Sequence, residues 1–127
     1  MQKPSTRLVL AIVTGAALVV ALSVPAAAHH GWGGNASEET EVTGTVEMVS
    51  LAGPHATMKV RVGEQVWDIT LAPPARTQRA GLRTDSIPIG ATVTVVGHRN
   101  ETAGRFEMKS ERVTWDAKVF DVYPNRH

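Results

Sequence analysis

The chain contains no cysteine. That excludes a disulfide framework, a thiolate metal site, a cysteine nucleophile and lipid attachment at an N-terminal cysteine. Aromatic residues are scarce, with three Trp, two Phe and one Tyr, so a broad base-stacking platform is not expected. An excess of one charge is also missing: 13 Lys+Arg stand against 12 Asp+Glu. Such a balance does not suit binding by neutralisation of many phosphates, and no nucleic-acid partner is expected. At 127 residues there is material for one domain.

What is present begins with an address. Residues 1–7 carry Lys3 and Arg7 but no acid, Leu8 to Val24 carry no charge, and Pro25 leads into Ala26-Ala27-Ala28. A basic start, an apolar middle and a small-residue end read as a signal peptide over residues 1–28, cut before His29. An uncleaved membrane anchor is the rival reading, because the uncharged run approaches the shortest stretch that spans a bilayer. The proline and small residues ahead of a Gly-rich stretch favour cleavage. The expected location is the periplasm, in the bacterial cell envelope, with no membrane contact once the signal is removed. The mature chain then has 99 residues with 11 Lys+Arg and 12 Asp+Glu, enough to fold around a core without staples.

Residues 29–40 (HHGWGGNASEET) have no apolar periodicity and read as an N-terminal arm, flexible or ordered by a ligand. Period-two patterning starts at Glu41 and runs through a domain over residues 41–123. The first strand places Val42, Val46 and Met48 on one face, and Gly44 is read as a bend or bulge on that inner face. TMKVRV and QVWDITL, joined at Gly63-Glu64, form a hairpin with Met58, Val60, Trp67 and Ile69 inward. APPARTQRAGLR has prolines at the front and Gly81 near the end, the start and stop signals of a short helix. ATVTVVGHR and FEMKSERVTW supply two more strands, and AKVFDVY a short sixth. The order strand, strand, strand, helix, strand, strand predicts an all-β protein: a five- to six-stranded OB-like Greek-key barrel, with a generic β-sandwich as second choice.

The histidines carry the chemistry. A cut after Ala28 makes His29 the N-terminal residue, whose α-amine titrates near 7.7–8.0 when unperturbed, so amine and ring chelate together. Tetragonal nitrogen ligation suits Cu(II) first and Ni(II) next; a nitrogen tetrahedron suits zinc. A cut after Ala26 instead leaves His29 third, also a Cu(II)/Ni(II) chelator. His30 follows directly, His55 lies in the loop after the first strand, and His98 ends the fourth. In an OB barrel the two loops flank one face, so the expected metal set is His29, His30, His55 and His98. Each histidine alone is more often structural. Arg76, Arg79 and Arg83 form a basic stripe expected to be solvated. Met48, Met58 and Met108 are expected in the core, and Trp32 either clamps the arm or shields a site. Asn35 and Asn100 begin weak glycosylation sequons. No triad, HExxH or phosphate loop is present, and no acid is read as paired in an apolar setting, so no enzyme is expected.

The pieces AHHGW, GTV, GPH, LAPPARTQRAGL and IGATVTVVGHR resemble a family of small exported bacterial domains of unknown function. Its mature chains begin His-His-small-aromatic and carry an Asn- or Gly-Pro-His loop. The matching positions are His29, His30, Trp32, Gly44, Val46, Pro54, His55 and His98. The first loop here is shorter and lacks the aromatic before the Pro-His pair. The resemblance implies fold and location and brings no activity. The expectation is an exported, non-catalytic metal-binding barrel, with a metal ion or an envelope protein as partner. The alternative is an accessory module that binds a ligand or protein with incidental histidines. A copper oxidase or monooxygenase built on His29 ranks last, since so small a barrel has little surface to position a substrate.

Overall fold

A computed structural model of the protein describes residues 32–126. Among these residues six strands and one helix follow in order: β1 (Thr40–Ser50), β2 (Thr57–Val62), β3 (Gln65–Thr70), α1 (Pro74–Arg79), β4 (Thr92–Arg99), β5 (Glu107–Trp115) and β6 (Lys118–Asp121). β1 pairs antiparallel with β2 through its second half and with β4 through its first. A parallel pairing of β3 with β5 closes the ring. The result is a closed five-stranded barrel, β1-β2-β3-β5-β4, with β6 added outside β5. This is the OB-like barrel with its helix between the third and fourth strands, as the strand order predicts.

Alternation builds the interior. Met58 faces Ile69 and Val60 faces Trp67 across the β2–β3 hairpin, and all four are buried with Val42, Val46, Val93, Val95, Met108 and Val113. Removing a side chain such as Ile69 or Met58 from water contributes about 1.5–3 kcal/mol each. Pro73 and Pro74 open α1, whose buried Thr77 donates its hydroxyl to the Ala72 carbonyl at 2.9 Å. Leu82 and Ile87, on the connection after it, are also buried. Trp67 stacks edge-on with Phe106 and lies under the Arg99 guanidinium. No helix among the described residues is long and apolar enough to cross a membrane.

Two irregularities depart from simple alternation. The bulge expected at Gly44 lies instead between Val46 and Met48, which leaves Met48 only half-buried. Gly44 is needed for a different reason: a Cβ there would strike the Arg61 carbonyl as β2 crosses. The second irregularity falls between β4 and β5, where Val96 pairs with Arg112 but Gly97 pairs with Ser110. Glu111 is the extra residue. A bulge of this kind re-aims side chains, and here Lys109, Ser110 and Glu111 are buried in succession.

Candidate functional site

From Trp32 onward the arm is tied to the barrel. Asn35 bridges to Asn100, Ala36 N–H donates to the Arg99 carbonyl at 2.8 Å, and Glu101 N–H donates to the Gly34 carbonyl at 2.9 Å. The arm thus extends the β1–β4 ladder beyond its end. The Asn35 amide donates to the His98 carbonyl at 2.7 Å. Trp32 packs edge-on against His98, with centroids 5.6 Å apart, and against Tyr123 at 5.2 Å. Arg126 and Lys109 stand over its ring at 4.1 and 4.8 Å. Of the two roles expected for Trp32, this is the clamp.

His98 is the post to which the arm is fastened. Its Nδ1 lies 2.8 Å from the Ala36 carbonyl and its Nε2 lies 2.7 Å from Glu111 Oε1. A carbonyl only accepts, so Nδ1 carries a proton; the second contact needs a further proton between Nε2 and the carboxyl. The Glu111 side chain is fully buried and also meets Arg126 at 3.4 Å. The sequence reading that no acid is paired in an apolar setting is therefore corrected. The signal was present: Met108 and Val113 are both core residues at an odd spacing, which strict alternation cannot put on one face. Something between them had to slip, and Glu111 does.

The predicted ligands separate. His29 and His30 lie outside the described residues. His55 lines a cavity of about 240 Å³ together with Asn35, Thr70, Asn100, Glu107 and Lys109. Closure of the barrel thus brings the β1–β2 and β4–β5 loops together, as expected, but the β4–β5 loop contributes Asn100. His98, placed among the expected ligands, has both ring nitrogens engaged and belongs to the arm's anchorage. No cluster of three or more metal-binding side chains occurs among the described residues. Burial, and then the neighbouring Arg126 charge, hold the Lys109 amine below its usual range. Burial pushes the Tyr123 phenol up, against the opposing pull of Arg76 and Arg126. Met58 and Met108 are core residues, as expected. Asn35 and Asn100, read only as weak sequons, are the partners that dock the arm.

The model of a family of unknown function, DUF6152, matches residues 16–108. The chain belongs to that family. Membership in an uncharacterised family agrees with the resemblance read from the sequence, and it brings no activity with it. No curated protein matches the DUF6152 chain by sequence. Among solved structures it is similar to the Stn1-ten1 complex of S. pombe, at 15% identity and a TM-score of 0.47, over 61% of this chain and 57% of that one. The chain thus spans little more than half the length of that relative. It is also similar to Rim1, a mitochondrial single-stranded DNA binding protein of S. cerevisiae, at 13% identity and a TM-score of 0.49, over 62% of this chain and 92% of that one. These likenesses are of fold and assign no ligand to this chain. They do correct one expectation: a neighbour of similar fold is a single-stranded DNA binding protein, which stands against the expectation of no nucleic-acid partner.

Proposed function

We propose that this DUF6152 protein is an exported envelope module that binds Cu(II) without catalysing a reaction. The amine and imidazole of His29 would form the chelate, and His30 and His55 would supply further nitrogens. The observation that carries the reading is where Trp32 is pinned. Lys109 is a shared wall: its amine stands 4.8 Å over the Trp32 ring, and it lines the cavity that contains His55. His29 precedes Trp32 by three positions, a span of at most about 10 Å. His98 supports the site by holding the arm, and would act as a ligand only by giving up Ala36 or Glu111. The reading also rests on cleavage of residues 1–28, expected from their composition, which would put the module in the periplasm.

The test is a Cu(II) titration of protein matured by its own export machinery, with the N-terminus read by intact mass. The expected result is a mass beginning at His29, one tight equivalent, and nitrogen hyperfine structure in EPR that weakens in His55→Ala. An affinity no better than that of a His-His-Gly peptide contradicts it. A second reading, an accessory module that binds a ligand or envelope protein without metal, is favoured by one observation. Arg126 and Lys109 both stand over Trp32, and cations beside the arm's entry disfavour a divalent metal. Adding a Ser ahead of His29 separates the two: it abolishes tight Cu(II) binding under the first reading and changes nothing under the second.

A further inference from the structure

A second cavity lies on the other side of Tyr123, between α1 and the segment after β6, and holds about 290 Å³. Its lining includes the apolar residues Ala80, Val122 and Pro124. Arg76 and Arg79, spaced i,i+3 along α1, and Asn125 also line it. Residues three apart on a helix project from one face. Asp121 is the one acid on the lining, and its carboxylate lies 3.9 Å from Arg112 on the neighbouring strand. The Arg76 guanidinium rests over the Tyr123 ring at 5.3 Å, which holds it in place. Arg126 adds a further cation on this side of the barrel: with Arg76 it pulls on the Tyr123 phenol, against the larger effect of burial.

The sequence alone reads Arg76, Arg79 and Arg83 as a solvated stripe. The fold divides them. Arg83 lies beyond the helix, whereas Arg76 and Arg79 line a hollow together with Ala80, Val122 and Pro124. Solvated arginines need no hollow, and a purely ionic site needs no apolar residues in its lining. Two guanidinium groups match a carboxylate's paired oxygens, and the apolar residues suit a short hydrocarbon body beside it.

We propose that this cavity binds a small organic carboxylate, gripped by Arg76 and Arg79 with its aliphatic part against Val122 and Pro124. The site stands apart from the copper reading, since none of its residues lines the His55 cavity. It would give the barrel a small-carboxylate pocket beside the root of the N-terminal arm.

The test is an amide NMR titration of the mature protein with succinate at constant ionic strength, with inorganic phosphate and chloride as parallel probes. The expected result is saturating shifts confined to residues 76–80 and 121–126. Arg79→Gln should weaken binding roughly ten-fold, as loss of one charge-assisted contact does. Asp121→Asn should tighten it by removing the one repulsive carboxylate. An unchanged thermal midpoint in Arg79→Gln confirms that its fold is intact. Shifts equal for chloride, saturation by phosphate alone, or unaltered succinate binding in an Arg76→Gln/Arg79→Gln double variant would overturn the proposal.

Discussion

Two faces of this barrel handle polar residues in opposite ways. On the outer face of β1, β2 and β3, Glu47, Arg61, Lys59 and Asp68 all reach water, Glu47 from the bulge in β1, and Arg61 meets Glu47 and Lys59 meets Asp68 across neighbouring strands. Between β4 and β5 one extra residue reverses the alternation and sends Glu111 inward, against His98 and Arg126. The first arrangement is solvated and contributes little. The second is shielded, and its parts depend on one another and on the arm. The same residue types thus decorate one face and build the other.

The largest expected effect comes from breaking the buried arrangement. Glu111→Ala or His98→Ala should cost about 3–5 kcal/mol in urea unfolding, because each strands a partner out of water. The double variant should cost less than the sum of the two. Trp32→Ala comes next, at about 1–2 kcal/mol from lost ring and cation contacts. Its more specific signature is hydrogen exchange: protection at the Ala36 and Glu101 amides should fall while that of the β2–β3 hairpin holds.

Smaller effects sharpen the contrast through pH. The folded state sheds the Lys109 proton before the unfolded state does, so from its lowered value up to the ordinary 10.5 stability rises with pH. Tyr123 acts in the other direction. Its folded value lies above the ordinary 10.0, so past about pH 10 the unfolded chain ionises first and stability falls. Urea midpoints should therefore show Tyr123→Phe gaining on the parent protein above about pH 10. Lys109→Met should lose the rise below it. The smallest effect belongs to the outer face, where Lys59→Ala should change stability by about 1 kcal/mol or less, and less still in salt.

The fold was legible because alternation, turn residues and the Pro-to-Gly helix signal all agree from Thr57 to Val95. It became illegible where the chain slips by one residue. Period-two reading carries Met108 inward and would turn Glu111 out, so the buried acid, the His98 anchorage and the docking of Asn35 on Asn100 were lost together. The neighbourhood of the His55 loop was legible because barrel closure, a property of the topology, decides what that loop meets. The role of His98 was not, because a side chain's partner across a bulge depends on register that the sequence states only through the odd spacing of Met108 and Val113.

On the proposed reading, the arm, fastened by His98, Glu111 and Trp32, delivers the mature N-terminus to the His55 cavity. Paramagnetic broadening of amide signals by substoichiometric Cu(II) tests this directly. The expected result is broadening at His55 and Asn100 as well as along the arm, and its loss from His55 and Asn100 in Trp32→Ala. Broadening restricted to the first residues of the arm, with the His55 loop untouched, would contradict it.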